Sequence, residues 1–516
     1  MDWFDDWALT LAVFIPLVGM AIVMLIPKAE EQLIKVVALG ASLVTFAVGI
    51  GIMADFDYDK AGLQFVVNKE WIPVINSRYH MGIDGISLPL LILSMFITVV
   101  CIIYSWNHFP EPHNPKGFLA LVLLLEVGMN GTFAAQDLIL FFVFFEIVLL
   151  PMFFMIGVWG GPNREYASIK FFLFTLFGSA MMLLSFLALY FLSKVNTFDM
   201  VALSNLHGAG IVHSTQVLLF LGMFLGFAIK VPMFPFHTWL PDAHTEAPTV
   251  GSVLLAAILL KLGAYGFIRI ALPMLPDGAQ TWAPWIGLLA VIGIIYGALG
   301  CLAQRDMKRL IAFSSIAHMG FVMLGIATLT TFGINAALFG MVAHGLITGM
   351  LFFVAGSVQE RYGTRELNRL GGMLTQAPHL GWILGFCAMA SLGLPGLAGF
   401  WGEFPALLSS YDPTLPFGLW GASSGTLWTF RTYMVIGAIG TVLAAGYLLW
   451  MFQRVAMGTP KGEFAELHVH DVHGPEWIAW APLLLLIVVL GFYPNLLFQT
   501  FDPAVQSLVS GMSRAL

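Results

Sequence analysis

Apolar residues recur in long blocks along the chain, and polar residues gather in the short intervals between them. A helix needs about 20 apolar residues to cross a bilayer. Blocks of that size lie at 7–27, 33–54, 84–106, 117–135, 137–158, 168–193, 214–240, 247–272, 282–303, 309–329, 333–360, 378–409, 431–457 and 477–499. The pattern predicts an all-α polytopic membrane protein with about 14 transmembrane helices. Only Gln136 and Asp137 divide the fourth block from the fifth. The first block follows an acidic MDWFDD. A secretory signal starts with positive charge, so this block reads as a retained helix.

Composition agrees. Hydrophobic residues make up 59% of the chain and charged residues 10%, against about 25% charged in soluble domains. So few charges cannot cover a soluble surface of 516 residues. The net charge of −7 is spread thinly, which excludes a nucleic-acid footprint and leaves lipid as the general surroundings. Cys101, Cys301 and Cys387 lie far apart in apolar blocks, with no spacing that suits an iron–sulfur cluster or a zinc ion. No glycine-rich nucleotide loop is present. The longest interval, Asp55 to Ile83, holds 29 residues, too few for a soluble catalytic domain. Any chemistry must therefore take place inside the membrane.

Lys and Arg set the orientation, because they favour the inner face. With the N-terminus outside, thirteen fall on inner segments and six on outer ones. Both termini are then expected outside. Arg269, near the outer end of its block, is expected to snorkel to the interface.

A charge at mid-membrane depth costs at least about 2.5–3.5 kcal/mol on insertion scales, so such groups face the bundle interior and tend to be functional. Seven stand out: Glu126, Glu146, Lys230, Lys261, His318, His344 and Glu403. Each has a plainer account. A lysine can snorkel, a histidine can bond across helices, and Glu126 can be a static partner. Glu146, in FFVFFEIVLLP, needs a proton or a cation nearby, and Lys230 is the cation to propose.

The spacing hides a repeat. Glu146 and His318 are 172 positions apart, and Lys230 and Glu403 are 173 apart. Lys230-Val-Pro232 and Glu403-Phe-Pro405 are both charge-x-proline, each in a helix expected to break. The chain then divides into N-terminal helices (1–110), a first five-helix repeat (117–272), a second (282–457) and a C-terminal helix (477–516). Helices 4–8 start inside and helices 9–13 outside, so the second repeat is inverted, with discontinuous helices 7 and 12. Pro232 and Pro235 strip partners from carbonyls near 228–231, which is tolerated where water or polar groups fill in. His237, Asp242, His244 and Glu246, just beyond, are expected to form a polar mouth on the inner side, or else an ordinary capped connection.

Three stretches carry a resemblance: KVPMFPFHTWLPDAHTEAPT, QRDMKRLIAFSSIAHMG and LGLPGLAGFWGE. Over essentially the whole length the chain resembles the antiporter-like subunits of respiratory complex I, and also the large subunits of multisubunit cation/proton antiporters. Within that superfamily it is most similar to the subunit M (chain 4) family. Glu403 stands where the sister subunits L and N resemble each other in having lysine, and the chain ends soon after helix 14.

The resemblance implies a proton-translocating, non-redox subunit of NADH:quinone oxidoreductase. Glu146, Lys230, Lys261, His318, His344 and Glu403 would be its relay, with Glu126, His237, Asp242 and His244 as auxiliaries. Ionised Glu146 would hold a proton on Lys230. Its withdrawal would release the proton toward Lys261, His318 and Glu403. Moving one charge against 100 mV costs about 2.3 kcal/mol, a size one buried pair can supply. FMN, iron–sulfur clusters and quinone are expected in partner subunits, with subunits L and N as neighbours. The expected location is the bacterial inner membrane, with both termini periplasmic, or the mitochondrial inner membrane if organellar. The alternatives are a subunit of a multisubunit Na+/H+ antiporter, a subunit of a membrane-bound energy-converting hydrogenase, and a scaffold with vestigial charges.

Overall fold

A computed structural model describes residues 3–413 and 424–515 of the chain. Residues 414–423, inside the expected second repeat, lie outside the described residues. Among those described, thirteen helices are long and apolar enough to cross a membrane. The remaining expected crossing, 378–409, is made by two shorter helices, Pro378–Ser391 and Ala398–Tyr411. The protein is a multi-pass, mostly helical membrane protein.

The thin divide at Gln136-Asp137 is a firm one. Asp137 caps the helix Leu138–Ile147, accepting from the Ile139 and Leu140 N–H groups at 3.0 and 3.1 Å. It also accepts from Ser77 Oγ and from the Arg78 N–H, each at 2.9 Å. Those partners belong to a feature outside the all-α expectation. Gln64–Ile72 and Ser77–Ile83 pair as an antiparallel hairpin. Both strands are rich in aromatic and branched residues, which suit a half-buried pleat.

The hairpin marks one end of the bundle. Phe4 meets Phe65 with ring centroids 6.3 Å apart, and Gly85 lies so close to the Thr500 carbonyl that a Cβ would not fit. The chain start, the hairpin and the last helix, Asn495–Ala515, therefore share that end. The last expected span, 477–499, stops instead at Phe492. Pro494 separates it from Asn495–Ala515.

Three helices form the centre. In 18-residue windows of Thr249–Met274, Met307–Ala327 and Thr331–Tyr362, 94%, 100% and 94% of the residues are buried within the molecule, against 28–39% for Trp3–Leu25 and Glu31–Asp55 at the periphery. The central three carry Lys261, His318 and His344. Two π-helical segments, Leu255–Leu259 and Phe267–Ala271, flank the turn that holds Lys261.

Both expected breaks exist, with different construction. The helix His213–Lys230 stops at Val231 and resumes as Trp239–Glu246; the Val231–Pro232 and Phe234–Pro235 peptides are cis. The second break falls at 392–397, at the start of the LGLPGLAGFWGE stretch and around Pro395. Gly393 and Gly396 there take left-handed φ values of +81° and +95°, which glycine reaches without steric cost. Pro405 sits inside a continuous helix.

Candidate functional site

Lys261 is fully buried. Its Nζ lies 2.5 Å from the Ala256 carbonyl and 2.6 Å from His344 Nδ1. Ala256 belongs to the π-helical segment, where the wider turn lets a carbonyl turn toward a side chain. Gly263, two residues on, brings this helix against the end of the Lys230 helix: a Cβ there would meet the Phe227 carbonyl oxygen at 2.6 Å.

The row continues on the next two helices. The His344 and His318 rings have centroids 5.9 Å apart. His318 Nδ1 lies 2.6 Å from Glu403 Oε1. Its Nε2 faces Ser391 Oγ at 3.0 Å and the Tyr447 hydroxyl at 3.2 Å. An Nδ1–H tautomer satisfies all three contacts, donating to the carboxylate and accepting from the hydroxyls. His344 Nε2 and Glu403 Oε2 are buried without a protein partner. Both residues line a cavity of about 20 Å³, together with His318, Thr348 and Ser391. That is room for about one water. Gly402 seats the Glu403 helix there, its α-carbon facing Gly340 so closely that a Cβ would lie 2.5 Å from the Gly340 Cα.

The first half is arranged otherwise. Lys230 is buried, and its Nζ sits 4.7 Å from the Phe145 ring centroid, a cation–π contact. Glu146 and Lys230 are within range of each other's charge. No ion-pair contact joins them in this structure. Glu146 lies just before a one-residue interruption at Val148, beside Pro151, and is half-buried near Ser179. The freed carbonyls of the Lys230 helix are met by protein groups as well: Ala228 by the Met233 N–H at 2.8 Å and Ile229 by the Trp239 indole at 2.9 Å.

The expected polar mouth separates into distinct parts. Asp242 is held by Lys170 at 2.7 Å, with Arg309 at 3.5 Å, so it is a paired group and not a free relay carboxylate. Glu246 accepts from the Asn163 N–H at 2.9 Å. His237 packs beside Phe234 and Tyr296. His244 is fully buried, stacks on Phe352 at 4.4 Å, and has no partner at either ring nitrogen. It lies in charge range of Lys261 and of Lys308. Lys308 is one of the thirteen charges that the sequence places on inner segments. In the structure it is buried, donates to the Ala247 carbonyl, and lines an open cleft of about 610 Å³.

Glu126 is buried with Ser42 at 3.3 Å as its partner and is not joined to the row. Arg269 does not snorkel. Its side chain is 12% exposed and bonded to Asp84. Ser391, Tyr447 and Lys308 were missed as site residues; the first two are types that occur throughout apolar spans, and only the KR pair at a helix start hinted at the third.

A family model described as NADH:quinone oxidoreductase/Mrp antiporter, transmembrane, matches residues 135–429, and one described as NADH-ubiquinone oxidoreductase chain 4, amino terminus, matches 11–130. The chain belongs to this family. It is 40% identical to NADH-quinone oxidoreductase subunit M of Rickettsia prowazekii (strain Madrid E), over 97% of this chain and 98% of that one. Among solved structures it is similar to a chain of respiratory complex I from Thermus thermophilus with bound NADH, with a TM-score of 0.86 and 29% identity over 98% of this chain and 99% of that one. A chain of the Mrp complex from Dietzia sp. DQ12-45-1b shares the fold, with a TM-score of 0.85 at 18% identity over 99% of each chain. The buried row thus sits in a family defined by both oxidoreductase and antiporter members.

Proposed function

We propose that this chain is a proton-translocating membrane subunit of an NADH:quinone oxidoreductase, and that Lys261, His344, His318 and Glu403 form its central relay. The observation that carries this is two bonded pairs set in a row across four helices: Lys261 to His344 at 2.6 Å, and His318 to Glu403 at 2.6 Å. A histidine is both donor and acceptor, so it receives a proton at one ring nitrogen and releases one at the other. The small cavity between His344, His318 and Glu403 supplies the bridging position. Lys230 and Glu146 act upstream as a charge pair that is apart in this state and closes in another.

Protons reach Lys261 from the inner cleft by way of Lys308 and His244, and they leave beyond Glu403. The inner face is the end carrying Lys308 and Arg361, and both termini face outward. In a bacterium the membrane would be the inner one. The driving energy arrives from partner subunits holding FMN, iron–sulfur clusters and quinone, with two sister antiporter-like subunits, L and N, alongside. The subunit M likeness over 97% of the chain favours this setting over the antiporter or hydrogenase alternatives.

The test is Lys230→Ala in the intact complex, with quinone reduction and proton pumping measured in sealed vesicles. Pumping should fall sharply. Wild-type levels of both would sink the relay reading and leave the scaffold alternative.

A further inference from the structure

At the hairpin end of the bundle lies an open cleft of about 570 Å³. Its charged or titratable lining groups are Asp84, His207, Arg269 and Arg514. Asp84 is the one carboxylate among them, and it is occupied. It is bonded to the Arg269 guanidinium and accepts from the Ile86 N–H at 2.9 Å and the Ser87 N–H at 3.2 Å. His207 Nδ1 bonds to the Pro273 carbonyl at 2.9 Å. The cleft therefore presents excess positive charge.

Arg269 also marks the way inward. Lys261, Tyr265 and Arg269 follow each other at intervals of four on one helix, which places them on one face about a turn apart. Arg269 Nε donates to the Tyr265 hydroxyl at 3.3 Å, and that hydroxyl donates to the Phe133 carbonyl at 2.9 Å. Tyr265 and Lys261 are both fully buried. The guanidinium, held by Asp84, Tyr265 and Ser87 Oγ at 3.4 Å, thus sits between the outer cleft and a relay lysine that is eight residues deeper.

We propose that Arg269, held by Asp84, is an electrostatic plug that stops protons and small cations in the outer cleft from running back to Lys261. A fixed guanidinium in a narrow polar passage repels cations, and it keeps its charge at any physiological pH. The relay needs such a barrier, because Lys261 lies on the path whose far end is proton-rich while the complex works. The inference rests on the proposed relay role of Lys261.

The experiment places the intact complex in sealed proteoliposomes without NADH, imposes a pH gradient, and follows its decay with a trapped pH dye. Arg269→Gln should speed the decay by at least roughly tenfold, since it changes the charge facing a low-dielectric passage by one unit and leaves the Asp84 carboxylate unpaired. Asp84→Asn, which leaves the arginine charge uncompensated, should stay as tight as wild type. A wild-type decay rate for R269Q overturns the proposal. Equal leak in both variants overturns it too, because packing alone would then be the cause. If R269Q does not assemble, Ser204→Glu decides, since it puts a carboxylate into the cleft lining without touching the pair: faster decay supports the plug, and a wild-type rate overturns it. Failure of the relay reading shows separately, as full pumping in the Lys230→Ala complex.

Discussion

The Lys230 helix is broken at Pro232 and Pro235, and the helix leading to Glu403 is broken at Pro395, which lies between two left-handed glycines. In the first, Pro232 removes a donor, and Met233 N–H and the Trp239 indole cover the carbonyls left behind. In the second, Gly393 N–H bonds to the Ala390 carbonyl at 3.4 Å and Leu394 N–H to the Met389 carbonyl at 3.2 Å, a Schellman cap with glycine in the left-handed position. The charges follow suit. Lys230 rests on an aromatic face without an ion-pair partner, whereas Glu403 is bonded to His318, itself held by Ser391 and Tyr447. One half holds its charge loosely and the other holds it in a network. A loosely held charge is the one a neighbour can move, and a networked one is suited to receiving and passing on a proton.

That contrast predicts unequal responses to mutation. His318→Leu strikes the networked half. It leaves Glu403 buried without its partner and should lower the stability of the complex by about 3–5 kcal/mol, the usual effect of breaking a buried pair, with loss of pumping in vesicles. Gly402→Ala pushes the Glu403 helix off Gly340. Overpacking of this kind costs about 1–3 kcal/mol, and pumping should fall partially, read as protons per NADH. Glu146→Gln strikes the loosely held half. It breaks no ion pair, so thermal unfolding should stay at the wild-type temperature while pumping drops. Equal destabilisation by H318L and E146Q would erase the contrast.

The smallest effect is expected where the helix leading to the second break begins. Burial by itself would raise the Asp471 carboxyl, but the N–H groups of His379, Val472 and Leu380 and the His379 ring hold it below the ordinary carboxylate range. Asp471 is therefore more easily ionised folded than unfolded. Its contribution is complete at neutral pH and is lost as pH falls below that range. Asp471→Asn should lower the unfolding temperature slightly at pH 7 and flatten its decline in acid.

The membrane spans and the four members of the buried row were legible because the signal is stark: Lys261, His318, His344 and Glu403 are polar residues at mid-depth of apolar blocks, where insertion is costly. The breaks were legible in place but not in geometry. Pro232 and Pro235 end a helix, and the LGLPGLAGFWGE stretch holds the second break, which falls at Pro395 and not at Pro405; the left-handed angles of Gly393 and Gly396 are stated by no sequence pattern. Arg269 was misread because depth along a helix does not reveal a partner 185 positions away. Tyr447 and Ser391 carry no signal, since an aromatic ring or a hydroxyl is ordinary in such spans until a histidine is found beside it. The missing Glu146–Lys230 contact is a matter of distance between two helices, which spacing alone does not give.

The contact that joins the two halves is the one between Lys261 and His344, and it is open to direct measurement. Protons translocated per NADH oxidised should be counted for the intact complex carrying Lys261→Ala, reconstituted in sealed vesicles. A marked fall in that ratio, with the complex assembled, is the predicted result. A ratio equal to wild type would contradict the relay.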